Sequence, residues 1–178
     1  MRVFLIRHPR PVIKPGICYG RLDVDCEEPA ACAEKIKLLL PDDIPVFSSP
    51  LRRAYRLAEL LASEVRTDER LREIDFGEWE GKLWDKIDRS ELDAWAADTL
   101  YFTPPDGESV EALQARVRDF ALSLDLPCVA IVTHAGVMRA LLGHWQQLPF
   151  EDWAKIQFKF GELVFLETSS DNFPSIRT

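Results

Sequence analysis

Two short apolar runs, Val3-Phe4-Leu5-Ile6 and Val129-Ala130-Ile131-Val132, constrain this chain more than any other feature. Neither alternates with polar residues, so neither suits a strand with one face in water. Each suits a strand buried on both faces, as in a parallel sheet covered by helices. The intervening sequence supplies those helices. Leu51, Ala54, Tyr55, Ala58, Leu61, Ala62 and Val65 recur at helical spacing, as do Val110, Leu113, Val117, Phe120, Ala121 and Leu124. Pro29 opens a helix over about 29–40, and Gly136 a short one over about 136–142. Residues 45–47 read as a strand. The alternation of Ile156, Phe158 and Phe160, followed by apolar 163–166, predicts two late strands pairing around Gly161-Glu162. Residues 67–82 read as irregular, with helical pieces over 84–87 and 91–97. Strands alternating with helices predict an α/β, three-layer sandwich with a mainly parallel central sheet, formed by 1–178 as a single domain.

Composition excludes several function classes. The longest unbroken apolar run, 128–132, falls far short of the roughly 20 residues that a membrane helix needs. Only four apolar residues, 3–6, lie together near the start, so a cytoplasmic location is expected. With 22 basic against 30 acidic residues and a net charge of −8, nucleic acid is not an expected partner. Charge is unevenly spread: residues 1–22 carry Arg2, Arg7, Arg10, Lys14 and Arg21 without a single carboxylate. Such a segment suits a small anion. Cys18, Cys26, Cys32 and Cys128 lack metal or disulfide spacing and read as reduced thiols. His8, His134 and His144 are scattered, so no metal ion or other cofactor is expected.

In open α/β sheets, ligands bind just beyond the carboxyl ends of the strands. Three predicted strand ends deliver Arg7-His8, Ser48-Ser49-Pro50 with Arg52-Arg53, and Thr133-His134 with Ala135-Gly136. Guanidinium forks match phosphate oxygens, and a neutral imidazole offers a lone pair to phosphorus. On the helical wheel Arg52 and Arg56 share a sector with Glu59, whereas Arg53 falls with Leu57 and Leu60. Arg53 is therefore the arginine expected to turn inward and to need an anionic partner. Two imidazoles with arginines suit phosphoryl transfer through a phosphohistidine. The leaving oxygen also needs a proton, and Glu73, Asp75, Glu78 and Glu80 lie interleaved with apolar residues that could favour a protonated acid. The residues alone leave that choice open.

The ordered set Leu5-Ile6-Arg7-His8, Ser48-Ser49-Pro50-Leu51-Arg52-Arg53-Ala54, Leu71-Arg72-Glu73 with Phe76-Gly77-Glu78-Trp79-Glu80-Gly81, Gly107-Glu108-Ser109 and Val132-Thr133-His134-Ala135-Gly136 resembles the histidine phosphatase (phosphoglycerate mutase-like) superfamily. The resemblance spans nearly the whole chain. It implies a phosphoglycerate mutase-like fold, His8 as the phosphorylated nucleophile, Arg7, Arg53 and His134 around the phosphoryl group, and Glu73 as general acid. It places Gly107-Glu108-Ser109 at the edge of the site. Two positions depart from the pattern: Pro9 stands where the superfamily usually has Gly, and Lys14 roughly where an Asn often helps to bind phosphate. The Arg-His-Pro start and the segment 16–23 are similar to small α-ribazole phosphatase-type members, which act late in cobalamin nucleotide-loop assembly. That similarity implies that Lys14, Tyr19, Gly20 and Arg21 contact substrate. It implies a metal-independent phosphomonoesterase acting on a small phosphorylated metabolite such as α-ribazole 5′-phosphate. The alternatives are a phosphoglycerate mutase-type phosphotransferase, against which the short chain counts, and a non-catalytic phospholigand-binding module. His144, near a helix end, and Trp79, Trp84, Trp95 and Trp145 read as packing residues.

Overall fold

Alternation within β1 (Arg2–Arg7) sets the layering of the computed structural model, which describes residues 1–168. Val3 and Leu5 face one apolar cluster, while Phe4 and Ile6 face another. β4 (Cys128–Thr133) repeats the division, Val129 and Ile131 on one side and Ala130 and Val132 on the other. Helices close both faces. α1 (Pro29–Lys37) and α2 (Arg52–Leu61) cover one with Ala33, Ile36, Ala54, Leu57 and Ala58. α4 (Val110–Leu122) and α5 (Ala135–Gln146) cover the other with Leu113, Val117, Phe120, Met138 and Leu141.

The remaining strands are β2 (Val46–Ser48), β3 (Val65–Thr67) and β5 (Leu163–Glu167), in the sheet order β3-β2-β4-β1-β5. β1 and β4, β4 and β2, and β2 and β3 pair parallel; β5 alone runs antiparallel, against β1. The expected three-layer, mainly parallel α/β sheet is the one found.

Local expectations fail in three main places, besides α1 ending early at Lys37 and α5 running a turn past Leu142. The helix expected to reach Val65 stops at Leu61, because Val65–Thr67 pairs with the edge of β2. The apolar alternation over 156–160 is not a strand. Phe158 is buried in the core and Phe160 stacks on Arg7, and among the described residues only β5 forms after them. A one-turn helix, α6 (Phe150–Trp153), follows Pro149 where the sequence pattern predicts none.

Between β3 and α4 the chain forms short 3-10 helices at Glu69–Leu71, Gly77–Trp79 and Trp84–Lys86, then α3 (Arg89–Ala97). Trp79 and Ile87 with Cys18 form a third small core, against which Phe76, Trp84, Trp95 and Phe102 pack. Trp79, Trp84 and Trp95 thus pack together as expected, and Trp145 packs against the α4–α5 core. All four cysteines are free thiols. No described helix is long and apolar enough to cross a membrane.

Candidate active site

Strand register brings the two imidazoles together. Arg7 of β1 lies opposite Thr133 of β4, and the next amide, His8 N–H, donates to Thr133 O at 3.0 Å. Ser48 of β2 lies opposite Val132, and Ser49 N–H donates to Val132 O at 3.0 Å. The chains leaving β1, β2 and β4 therefore converge at one edge, with the His8 and His134 ring centroids 5.0 Å apart.

His8 is 2% exposed, and its Nδ1 lies 2.6 Å from Pro9 O. A carbonyl oxygen only accepts, so Nδ1 carries the proton of the neutral ring and Nε2 keeps a lone pair. Burial, with the fields of Arg53 and Arg7 behind it, pulls the His8 pKa down to about 3 against the opposing Pro9 bond. The ring is neutral at physiological pH. The departure from Gly at position 9 leaves this bond intact, because proline loses its N–H and keeps its carbonyl.

Both motif arginines are held by backbone. Arg7 Nη1 donates to Phe158 O at 2.6 Å, and its guanidinium carbon sits 3.9 Å from the Phe160 ring centroid. Arg53 is fully buried, as the helical wheel implied, but its partners are not anionic. It donates to Leu22 O at 2.9 Å and Gly20 O at 2.5 Å. Both Nε atoms are buried without a partner among the described residues. Burial lowers both guanidinium pKa values, yet arginine stays charged near neutrality. Arg52 and Arg56 are exposed as expected, but they pair with Asp23 and Asp25 rather than with Glu59.

One carboxylate fixes the carbonyls that Arg53 reads. Glu80 accepts from the amides of Gly20, Arg21, Leu22 and Phe76 at 2.6–3.1 Å. The strip 20–22 thus gives its N–H groups to Glu80 and two of its carbonyls to Arg53. Gly20 is required there, since a Cβ would lie 1.9 Å from Ile74 O.

Geometry separates the four candidate acids. Glu78 is exposed, Glu80 is spent on backbone amides, and Asp75 pairs with Arg21 at 3.3 Å and accepts from Gly77 N–H. Glu73 alone lies in the fields of both Arg7 and Arg53. Its Oε1 accepts from Ile74 N–H and its Oε2 from Gly136 N–H in the first turn of α5, each at 3.1 Å. Each oxygen retains a further lone pair for a proton. A Cβ at Gly136 would stand 2.3 Å from Glu73 Oε1, so only glycine permits this approach. Arg116 braces the segment from behind, donating to Glu73 O while gripping Glu108 with Nε at 2.6 Å and Nη2 at 2.9 Å.

The structure gathers Arg7, His8, Arg53, Glu73 and His134, with half-buried Tyr19 beside them, its ring centroid 5.4 Å from the Arg53 guanidinium carbon. Burial raises the Tyr19 phenol pKa. Gly20 offers its carbonyl to Arg53, a structural use. Arg21 is engaged with Asp75 and Glu108, and Lys14 stands exposed on the loop after Pro11. Glu108 of the Gly107-Glu108-Ser109 segment serves Arg116 and Arg21, and the Ser109 side chain caps α4. His144 is half-buried in the last turn of α5, and burial lowers its pKa. Sequence reasoning missed Phe160 and Arg116, and it missed the roles of Ser49 and of Glu80, which it named only among the candidate acids. Their roles depend on partners far along the chain, and only Ser49 stood in a strand-end motif. Among the described residues, no group of three His, Cys, Asp or Glu side chains could hold a metal ion.

Known proteins resemble this chain in sequence and fold. A phosphoglycerate mutase from Thermus thermophilus is 35% identical, with a TM-score of 0.75 over 94% of this chain and 93% of its own. An Escherichia coli K-12 protein provisionally described as an α-ribazole-5′-P phosphatase superposes with a TM-score of 0.83, at 26% identity over 93% and 89%. The glucosyl-3-phosphoglycerate phosphatase of Mycobacterium tuberculosis H37Rv is 31% identical over 178 residues, covering 85% of this chain and 78% of its own. A family model matches residues 3–177, and the chain belongs to that family, the histidine phosphatase superfamily (branch 1).

Proposed function

We propose that this chain is a metal-independent phosphomonoesterase working through a phosphohistidine on His8. The observation that carries the reading is the His8 ring itself: Nδ1 is committed to Pro9 O, so Nε2 is the free nucleophile, and buried Arg53 and half-buried Arg7 stand beside it. In the first step His8 Nε2 forms a bond to phosphorus as the bond from phosphorus to the alcohol oxygen breaks, and the Glu73 carboxyl gives that oxygen its proton. In the second, water attacks phosphorus, the N–P bond breaks, and the Glu73 carboxylate takes the water's proton. Arg7, Arg53 and His134 offset charge on the non-bridging oxygens throughout.

The substrate of this reading is a small cytoplasmic phosphate monoester, with α-ribazole 5′-phosphate first among them, acted on by a single domain spanning 1–178. The α-ribazole assignment of one structural relative supports that choice, as does the segment from Gly16 to Asp23. A mutase, which the name of another relative raises, differs only in returning the phosphoryl group to a second hydroxyl. One panel separates these readings. Free phosphate is measured from α-ribazole 5′-phosphate, glucosyl-3-phosphoglycerate and phosphoserine, and 2-phosphoglycerate from 3-phosphoglycerate with a 2,3-bisphosphoglycerate primer, all with a strong chelator present. The expected result is hydrolysis with the highest kcat/KM on α-ribazole 5′-phosphate, and a rate within about twofold of that without chelator. Faster isomerisation than phosphate release would favour the mutase, and no turnover of any ester would favour a binding module.

A further inference from the structure

His134 is fully buried, and its two ring nitrogens have different surroundings. Nε2 lies 2.8 Å from Ser49 Oγ, whereas Nδ1 has no partner among the described residues. Burial, with the fields of Arg53, His8, Arg116 and Arg7 behind it, holds the ring pKa well below the ordinary histidine value. The ring is therefore neutral and carries one N–H and one lone pair. Which nitrogen bears the proton decides whether Nδ1 attracts or repels an anion.

Ser49 decides it. Its Oγ already accepts the Leu51 amide at 3.3 Å, a bond of the turn that opens α2. Its hydroxyl hydrogen needs an acceptor in a place where water does not reach, since Ser49 is fully buried. Among the described residues the acceptor within reach is His134 Nε2. Neighbouring Ser48 does not compete, because its own hydroxyl donates to Ser49 O at 2.8 Å. We propose that Ser49 is a positioning residue whose hydroxyl donates to His134 Nε2, fixing the His134 proton on Nδ1 and making that N–H a neutral donor to a phosphoryl oxygen. His8 and His134 then hold the same tautomer by different means, one through the Pro9 carbonyl and the other through the Ser49 hydroxyl. In His8 this frees a lone pair to attack phosphorus, and in His134 it turns a proton towards the oxygens. The bond to Ser49 stands on geometry alone, while its use at a phosphoryl group rests on the phosphohistidine reading.

The chain has only three histidines, so nitrogen-15 labelling of histidine gives a spectrum that can be assigned by substitution. Two-bond proton–nitrogen correlations report which ring nitrogen is protonated. In the wild-type protein both His8 and His134 should show the Nδ1–H pattern. Ser49→Ala should move His134 towards Nε2–H while the His8 pattern stays, which also reports that the fold is intact. The same substitution should weaken binding of orthovanadate, a phosphoryl analogue, by about tenfold, the scale of one buried hydrogen bond. Ser49→Thr, which keeps a hydroxyl, should restore both the pattern and the affinity. A wild-type His134 protonated on Nε2 would overturn the proposal, as would a Ser49→Ala protein with the same tautomer and the same vanadate affinity. Failure of the wild-type protein to bind orthovanadate would overturn the phosphoryl role and the reading beneath it, while the nitrogen spectra would still decide the Ser49 bond.

Discussion

The two ends of the parallel strands carry similar kinds of residue in opposite states. At the carboxyl ends, His8, Arg53 and His134 are at most 2% exposed, and main-chain carbonyls or a serine hydroxyl fix their orientations. At the amino ends of β2 and β3 a hollow of about 530 Å³ is lined by Lys37, Asp42, Asp43, Glu64 and Arg66, all exposed. Charges in water are screened and interact weakly, whereas buried ones act strongly and cost stability to desolvate. A protein sustains that cost where chemistry needs it, so burial of polar groups marks the reactive end better than the size of a hollow does.

The sharpest way to break this contrast is to alter Glu73, which stands among the buried groups. In kcat/KM, which ends at release of the alcohol and so excludes the later attack of water, Glu73→Gln should lose about 10²–10⁴-fold on an alkyl phosphate and be nearly unchanged on nitrophenyl phosphate, since a nitrophenolate needs no proton to depart. The kcat/KM values on both esters give the ratio, and an equal loss in the two would remove Glu73 as the acid. A smaller and unselective loss is expected of Glu80→Gln. Its amide NH2 would face amides that now donate to a carboxylate, loosening the strip 20–22 that orients Arg53. Both esters should slow by about tenfold, the scale of one lost charge-assisted hydrogen bond. Selectivity between the esters would instead assign Glu80 the proton.

Acid sharpens the contrast through stability. His8 binds its proton only near pH 3 when folded, against about 6.5 when unfolded, and His134 is shifted the same way. Their contribution is complete above pH 6.5 and is lost as pH falls towards 3, because the unfolded chain takes up protons first. The urea midpoint should drop between about pH 7 and pH 5, and His8→Asn should drop less. At the opposite end Asp42→Ala and Arg66→Ala should change both esters' rates by less than about twofold, within the range of exposed surface substitutions. A larger loss there would contradict the assignment of the reactive end.

Much of this contrast is legible in the sequence, for a physical reason. β1 and β4 are buried on both faces, so their apolar runs announce them, and the parallel pairing that follows places Arg7-His8 beside Thr133-His134. Arg53 is legible because helical periodicity turns it inward with Leu57. What it binds is not, because carbonyls of Gly20 and Leu22 carry no side-chain signature. The same limit hid the role of Glu80, whose partners include amides about 60 positions earlier. It also turned 156–160 into an expected strand, since apolar alternation does not distinguish pairing in a sheet from Phe158 in the core and Phe160 against Arg7.

The central claim is that the lone pair left on His8 Nε2 attacks phosphorus, and trapping the intermediate tests it most directly. The enzyme is mixed with phosphorus-32-labelled substrate, quenched in base within milliseconds, and digested under alkaline conditions, in which a phosphohistidine survives and a phosphoserine does not. The account predicts label on the peptide that contains His8, lost on brief exposure to acid and absent from His8→Ala. Label on the peptide that contains His134, or steady hydrolysis by His8→Ala, would contradict it.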